Sequence, residues 1–290
     1  MAVHKRVYRP YEGPLTAARW RFLVVTRYGL QELVESRVLV AFVVMCQIPF
    51  LVEAGGIYIA NSPAARALLQ VGGLPHQMKT EFFAAALAIQ GTLAFLLTAW
   101  VAPVIVSPDL VNGALPLYLS REFSRADYVL GKAVVLMSVL SLITWVPGLT
   151  LFVLQAGLAD PSWIAANLRV AGAIFVWAWI WITVLTLLGL ALSASIRWRV
   201  VASGALFGVF FMGSAFGEAW HTVLDDPWGR AANLAYVVGL VGRDLFGIVL
   251  PPEATRGDLP TWAAALALVG VCAFSLGLLN LRLRAREVVS

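Results

Sequence analysis

The 24 residues Val170–Ser193 read VAGAIFVWAWIWITVLTLLGLALS and contain no Asp, Glu, Lys or Arg. A helix needs about 20 mostly apolar residues to cross the hydrocarbon core of a bilayer. Every backbone polar group in that core must find a partner inside the protein, and a helix provides one within a single segment. The sequence therefore predicts a transmembrane helix over these residues.

Five other segments have comparable length and apolar character. They are Val38–Ala60, Phe82–Val106, Val129–Ala156, Val200–Gly217 and Trp262–Leu281. Of the 290 residues, 60% are hydrophobic and 13% are charged, whereas a soluble domain has about 45–50% apolar and 25% charged residues. These values predict an all-α integral membrane protein with six transmembrane helices in one domain, residues 38–281. They exclude a soluble enzyme, a disordered chain and a DNA-binding domain.

The Lys and Arg residues lie mainly on one side of the six predicted spans. Fifteen of the 21 precede the first span, follow the sixth in the basic tail 282–290, or lie between spans two and three, at the start of span three (Lys132) and between spans four and five. Basic residues concentrate on the cytoplasmic side of a membrane protein, so we expect both termini in the cytoplasm. The same bias accounts for the net charge of +5 without a nucleic-acid partner.

Residues 218–261 form a long connection between spans five and six, on the side opposite the termini. Its apolar part, Ala231–Leu250, is interrupted by Arg243 and Asp244. The uncharged run that remains, about a dozen residues, is too short to cross the bilayer. We expect one or two short re-entrant helices in this connection, since such segments are tolerated where protein buries them.

Residues 1–37 precede the first span, and Pro14–Arg37 has the pattern of an amphipathic helix. Pro14 suits the first turn of a helix. The apolar residues Phe22, Leu23, Leu30, Leu33 and Val34 share one side, and Arg21, Tyr28, Gln31, Glu32 and Glu35 share the other. Such a helix lies in the membrane interface or packs on a cytosolic partner, and the two arrangements are compatible.

The sequence indicates no catalytic and no metal-binding residues. It contains no phosphate-binding loop and no Cys/His set with metal-ligand spacing. His221, Asp225 and Asp226 form one cluster with catalytic potential, because His221 and Asp225 would share a face if the segment were helical. The alternative for this cluster is a solvated turn at the membrane interface.

Two features of the spans are candidates for a transport pathway or for a contact face between chains. Glu53 is a carboxylate inside the first span, where a charge is costly and by default suggests a function; the alternative is contact with lipid headgroups. Span five carries Gly204, Gly208 and Gly213. Small residues four apart let two helices approach closely, within one chain or between two.

The connection between spans two and three is long for a turn between helices. Residues Ser107–Lys132 read SPDLVNGALPLYLSREFSRADYVLGK. An acidic residue is followed by Asn-Gly, by alternate leucines, by a Ser-Arg pair and by Leu-Gly-Lys where the chain re-enters the membrane. An amphipathic, mixed-charge loop on the cytoplasmic side is suited to binding by a soluble partner.

This order of residues resembles the cytoplasmic loop of the permease subunits of ABC transporters in the ABC-2 family. The residues that fit in one unbroken register are Asn112, Gly113, Leu115, Leu117, Leu119, Ser120, Ser124, Arg125, Leu130, Gly131 and Lys132. Ala114, Pro116 and Glu122 stand where Thr, Glu and Pro are more usual. Six spans, cytoplasmic termini, the amphipathic N-terminal helix and the long outer loop extend the resemblance over nearly the whole chain.

The resemblance implies an exporter-type permease in the cytoplasmic membrane of a prokaryote. It implies two copies of a separate cytosolic ATP-binding subunit, which would bind ATP and Mg, so that this chain itself is no enzyme and has no cofactor. It also implies a second permease, identical or a sister chain, besides the surrounding membrane lipids. A substrate path would run between the two permeases, and Gly204, Gly208 and Gly213 would lie near that path or at the contact between the permeases. Glu53 stays a candidate for the pathway on its own chemistry.

The resemblance also assigns roles to the N-terminal helix and to the loop. The N-terminal helix would be the elbow helix, with Arg21, Phe22, Leu30 and Leu33. Residues 107–128 would form the coupling loop, which presents Asp109, Asn112, Gly113, Leu115, Leu117, Ser120, Arg121, Glu122, Ser124, Arg125 and Asp127 to the ATPase. Two other functions stay open: a non-transporting membrane anchor of an ATP-driven complex, and a membrane enzyme that uses His221 and Asp225. The sequence identifies no substrate.

Overall fold

The computed structural model describes residues 17–70, 78–112, 124–251, 253, 255 and 257–284. Several predictions fall outside these residues. They are the helix start at Pro14, the loop residues Gly113, Leu115, Leu117, Ser120, Arg121 and Glu122, and the tail beyond residue 284.

The described residues form helices and no strand. In chain order the α-helices are α1 (Phe22–Glu35), α2 (Arg37–Met45), α3 (Ile48–Asn61), α4 (Pro63–Leu69), α5 (Thr80–Val111), α6 (Arg125–Ile143), α7 (Trp145–Leu158), α8 (Pro161–Ser195), α9 (Arg199–Leu224), α10 (Leu234–Phe246) and α11 (Thr261–Arg284). Two short 3-10 helices, Ala18–Trp20 and Pro227–Ala232, precede α1 and α10.

Each of the six predicted spans is found as a helical segment long and apolar enough to cross a membrane. Within the described residues these segments are Arg37–Asn61, Thr80–Asp109, Arg125–Leu158, Pro161–Ser195, Arg199–Leu224 and Thr261–Leu283. The first consists of α2 and α3, and the third consists of α6 and α7. The predicted all-α, six-span class is confirmed at this level, and it is the architecture of a multi-pass membrane protein.

Helix α8, which contains the charge-free segment Val170–Ser193, lies at the centre of the bundle. It packs against α5, α6, α7, α9, α10 and α11. Of its most apolar stretch 67% is buried, compared with 11% in the first span. Trp181 Nε1 donates to the carbonyl oxygen of Gly91 in α5 (2.8 Å), and Trp177 Nε1 donates to that of Val238 in α10 (3.1 Å).

The connection between spans five and six folds into the 3-10 helix Pro227–Ala232 and α10. The 13 residues of α10 are about 20 Å long, which is less than the ~30 Å of a hydrocarbon core. Its apolar face packs against α5, α8 and α11. The bond from Trp177 places α10 beside the middle of α8.

Charged residues join parts of this connection to one another and to the end of α9. The Asp258 carboxylate accepts hydrogen bonds from the Tyr236 hydroxyl (2.7 Å) and from Arg243 Nη2 (2.6 Å). Burial and the bond to Asp258 raise the pKa of the Tyr236 hydroxyl above its ordinary value. Arg230 pairs with Glu218 of α9 at 3.1 Å and lies 3.8 Å from Asp258. These contacts hold the parts of the connection together and attach it to the end of α9.

Candidate coupling site at the loop end of the bundle

Asn112 and Ser124 lie within the predicted coupling loop 107–128, before and after residues 113–123. The end of the bundle at which they lie is termed the loop end. Helix α6 begins there with a capping box. Ser124 Oγ accepts from the backbone N–H of Asp127 (3.1 Å), and Asp127 Oδ2 accepts from the backbone N–H of Ser124 (3.0 Å). This reciprocal pair satisfies donors that the start of a helix leaves without intrahelical partners. Ser124 and Asp127, both predicted as coupling residues, therefore set where α6 begins.

Asp109 lies in the last turns of α5, and its carboxylate points towards α6. Its Oδ2 atom lies 2.8 Å from Lys132 Nζ and accepts a hydrogen bond from the Tyr128 hydroxyl (2.9 Å). Lys132 Nζ also donates to the carbonyl oxygen of Ile105 in α5 (2.9 Å). Asp109, Tyr128 and Lys132, termed the Asp109 cluster, thus join the two helices that flank the loop.

The Asp109 cluster is largely removed from solvent. The side chains of Lys132 and Asp109 are 8% and 17% exposed. A buried charge is tolerated when it is paired and hydrogen-bonded, and removing one partner of a buried ion pair costs about 3–5 kcal/mol. The cluster therefore holds the spacing between the end of α5 and the start of α6. Asp109, predicted among the loop residues presented to the ATPase, is bonded within its own chain.

Helix α1 crosses α6 at close range because both helices have a glycine at the crossing. A Cβ atom added to Gly131 would lie 2.7 Å from Cβ of Val25 and 2.9 Å from the carbonyl oxygen of Phe22. Gly29 of α1 meets α6 in the same way, 2.8 Å from a side-chain carbon. Thr26 Oγ1 donates to the carbonyl oxygen of Gly131 (3.2 Å). The two helices are therefore docked backbone to backbone.

The face that α1 buries differs from the predicted amphipathic face. Its buried residues are Val25, Thr26, Gly29 and Leu33. Of the predicted elbow residues, Leu33 is buried and Arg21, Phe22 and Leu30 are half-buried. Leu23 and Val34, assigned to the apolar side, are 42% and 71% exposed. The prediction considered hydrophobicity alone, whereas the contact with α6 also depends on Thr26 and Gly29, whose small side chains allow close approach.

The last turns of α11 reach the same place. Leu283 is 3% exposed and packs on Tyr128. Val106 of α5, Ala194 of α8 and Leu279 of α11 line the same small space beside Lys132. The ends of the second, third, fourth and sixth spans therefore converge on the Asp109 cluster.

Several residues of this site were not among the predicted site residues, and they include Lys132, Tyr128, Thr26 and Gly29. Tyr128 carried a usable signal, since it lies four residues before Lys132 and hence on the same helix face. A lysine at the start of a membrane span is also expected to pair with a carboxylate or a backbone carbonyl group. Thr26 and Gly29 carried no such signal, because small residues are neutral in an amphipathic pattern.

The residues predicted for a pathway or contact face lie in different environments. Glu53 in α3 is half-buried, and its Oε2 atom is buried without a hydrogen-bond partner in the described part of the chain. A Cβ atom added to Gly204 or Gly208 of α9 would meet nothing within 4 Å among the described residues. One added to Gly213 would lie 2.5 Å from the carbonyl oxygen of Ala232. Gly213 thus makes room for the 3-10 helix of its own chain, and Gly204 and Gly208 leave an open face.

His221 and Asp225 do not share a helix face. Helix α9 ends one residue before Asp225, which has a left-handed conformation with φ of 51°. Nδ1 of His221 is buried without a hydrogen-bond partner in the described ranges. Asp226 accepts from the backbone N–H of Trp228 (3.1 Å) and so caps the 3-10 helix. Among the described residues, no group of three or more His, Cys, Asp and Glu could hold a metal ion.

A comparison of the sequence with protein-family models finds no match, and a comparison with curated proteins finds none either. The functional argument therefore depends on the residues of this chain and on the geometry of the loop end.

Proposed function

We propose that this chain is the membrane permease subunit of an ABC transporter, of the ABC-2 exporter type that its loop resembles. It moves a substrate outward across the membrane, driven by ATP hydrolysis on a separate cytosolic subunit. The observation that supports the proposal is the Asp109 cluster. It joins the end of α5 to the start of α6, on either side of residues 113–123. Helix α1 and the end of α11 pack at the same place.

A loop that transmits movement needs firm attachment to the spans that it moves. The Lys132–Asp109 pair ties α6 to α5 at 2.8 Å. The bond from Thr26 to Gly131 ties α1 to α6, and Leu283 brings α11 to Tyr128. A force on residues 113–123 therefore reaches several spans at once, as coupling to an ATPase requires.

In this proposal the loop end is cytoplasmic, in the cell membrane of a prokaryote. The excess of basic residues on that side, 15 of 21, supports this orientation. Helix α10 is then a re-entrant helix on the outer side, because it is too short to cross and lies beside the middle of α8. The open face at Gly204 and Gly208 is the proposed contact with a second permease copy or sister chain.

The test is crosslinking in native membrane. A photoreactive side chain at Asn112, which is exposed at the loop end, should crosslink to a soluble ATP-binding subunit. The matched control is Val223, which is 78% exposed at the opposite end and should give no such product. Crosslinks from Val223 and none from Asn112 would reject the proposal.

A non-transporting anchor is separated from a permease by a second measurement. The chain is reconstituted into vesicles with the ATPase subunit that copurifies, and export is followed as ATP is hydrolysed. Substrate movement that depends on ATP supports the permease. ATP hydrolysis stimulated by the chain without movement of any substrate that the cells export would favour the anchor.

A further inference from the structure

Helix α2 is separated from its neighbours at both ends. Ser36, between α1 and α2, has an extended backbone with φ of −76° and ψ of 101°. Cys46 and Gln47 form a turn between α2 and α3, and Pro49 follows in the first turn of α3. Proline cannot supply the backbone N–H of a continuous helix and is a common cause of sharp kinks. The first half of the first span is thus a nine-residue helix, α2, between two joints.

Helix α2 makes few contacts with the other helices of the bundle and packs mainly against α1. Of its nine residues only Leu39 is buried. Phe42 contacts Trp100 of α5 edge to face, with ring centroids 5.5 Å apart. Beside this contact lies a cavity of about 150 Å³, lined by Glu32 of α1, Leu39 of α2, and Trp100, Val101 and Val104 of α5. The helix therefore covers empty space on the side that faces the bundle.

The joint at Cys46 and Gln47 is anchored by two glutamines. Gln47 Nε2 donates to the carbonyl oxygen of Leu142 (3.2 Å), next to the break between α6 and α7. Gln90 of α5 is 1% exposed, and the end of its amide that faces the two breaks meets carbonyl oxygens only, so it is assigned as the nitrogen. In that orientation it donates to the carbonyl oxygens of Cys46 (3.3 Å) and Ile143 (2.8 Å). Polar side chains inside a membrane are costly and are placed where a broken helix frees carbonyl groups.

The carbonyl of Ile143 shows why Gln90 is needed at this point. In a continuous helix it would accept from the N–H of residue 147. Residue 147 is proline, which has no N–H. The Gln90 amide supplies the missing donor and at the same time holds Cys46. The joint of the first span is therefore fastened to the second and third spans.

The other joint is anchored by the docking of α1 on α6. Gly131 and Thr26 hold the two helices together, and Ser36 Oγ accepts from the backbone N–H of Leu39 (3.4 Å) at the start of α2. Both ends of α2 are thus held by well-packed parts of the bundle, whereas the residues between these ends make few contacts with it. From this contrast we propose that α2 is a hinged flap that swings between Ser36 and Gln47 and opens the cavity beside Trp100 sideways towards the bilayer. The proposal concerns the chain alone and does not depend on the proposed function.

The test is a distance measurement between spin labels on the full chain in lipid nanodiscs, in a background with Cys46→Ala and Cys272→Ala. One pair joins position 40 in α2 to position 130 in α6, both at exposed residues. The reference pair joins position 58 in α3 to position 130. We expect two populations of distance for the α2 pair and one for the reference pair.

Two substitutions give opposite expectations for the α2 pair. Pro49→Ala restores a backbone N–H and joins α2 to α3, so the second population should be lost. Gln90→Met removes the donor that anchors the joint, so the second population should increase. The matched control is Pro103→Ala, which changes a proline inside the unbroken helix α5 and should leave both pairs unchanged.

A single narrow population for the α2 pair in the unmodified background would overturn the proposal. It would also be overturned if Pro49→Ala and Pro103→Ala acted alike. A second population in the reference pair would mean that α3 moves with α2, which contradicts a flap limited to α2.

Discussion

Lys132 and Asp109 form an ion pair of 2.8 Å that joins the start of the third span to the end of the second. The two residues lie before and after residues 113–123 of the predicted coupling loop, and Tyr128 donates to the same carboxylate. The pair is therefore a structural fastening of the loop, and its carboxylate is engaged inside the chain.

Asp109→Asn should destabilise the protein by about 3 kcal/mol, because it leaves the Lys132 ammonium buried without a counter-charge. The measurement is thermal or denaturant unfolding of the purified chain in detergent. Asp160→Asn is the control, since Asp160 is exposed and makes no side-chain capping bond. The double variant Asp109→Asn, Lys132→Met should cost less than the sum of the single variants. Additive costs would show that the two charges are not coupled.

Gly131→Ala should weaken the docking of α1 on α6. The new methyl group would lie 2.9 Å from a backbone oxygen, which cannot move away as a flexible side chain can, and overpacking of this kind costs about 1–3 kcal/mol. Protease sensitivity between α1 and α2, together with unfolding, measures the effect. Gly277→Ala in α11 is the control, because its Cβ would meet nothing within 4 Å in the described structure. Equal effects of the two substitutions would contradict a special role for the crossing.

Cysteines placed at the two ends of the bundle should report its orientation. In a background without Cys46 and Cys272, a cysteine at Asp226 should react with an impermeant reagent in intact cells. A cysteine at Arg197, in the exposed turn between α8 and α9, should react after permeabilisation only. The physical basis is the excess of basic residues on the loop side. The reverse pattern would place the loop outside and remove the basis for a cytosolic ATPase partner.

Asp258→Asn should destabilise the opposite end of the bundle more than Glu218→Gln. Asp258 is 15% exposed and receives bonds from Tyr236 and Arg243, so loss of its charge should cost about 2–3 kcal/mol. Glu218 is 58% exposed in its pair with Arg230, and a surface ion pair contributes about 0–1 kcal/mol. Unfolding of the two variants at the same pH makes the comparison. A larger loss with Glu218→Gln would show that Arg230, and not Asp258, organises the connection.

The spans could be predicted because each one is a local property of the chain. Val170–Ser193 lies within α8 and Val200–Gly217 lies within α9, since about 20 apolar residues in succession cannot be solvated by water. The helix ends were less certain: α8 starts at Pro161, where polar residues continue the helix beyond the apolar run. A short helix that does not cross was predicted within Ala231–Leu250, because its uncharged run of about a dozen residues cannot span the bilayer. Helix α10 occupies Leu234–Phe246.

The roles of the site residues could be predicted only in part. The sequence pattern singled out Asp109, Ser124, Asp127 and Lys132, and all four lie at the loop end. It assigned the first three to contacts with a partner, which stays a prediction, and it did not indicate the bonds that these residues make within the chain. A loop motif gives the order of the residue types. It contains no information about the direction in which each side chain points.

Composition and the spacing of apolar residues were enough to establish a helical membrane protein with six spans, because burial in lipid acts on each segment separately. Only the tertiary structure decided that Asp109 pairs with Lys132 across 23 positions, that α1 docks through Gly29 and Gly131, and that the first span is broken at Cys46 and Gln47. These features depend on which helices lie side by side and how closely they approach. A one-dimensional pattern of hydrophobicity contains neither quantity, since it treats a glycine at a crossing and a glycine facing lipid alike.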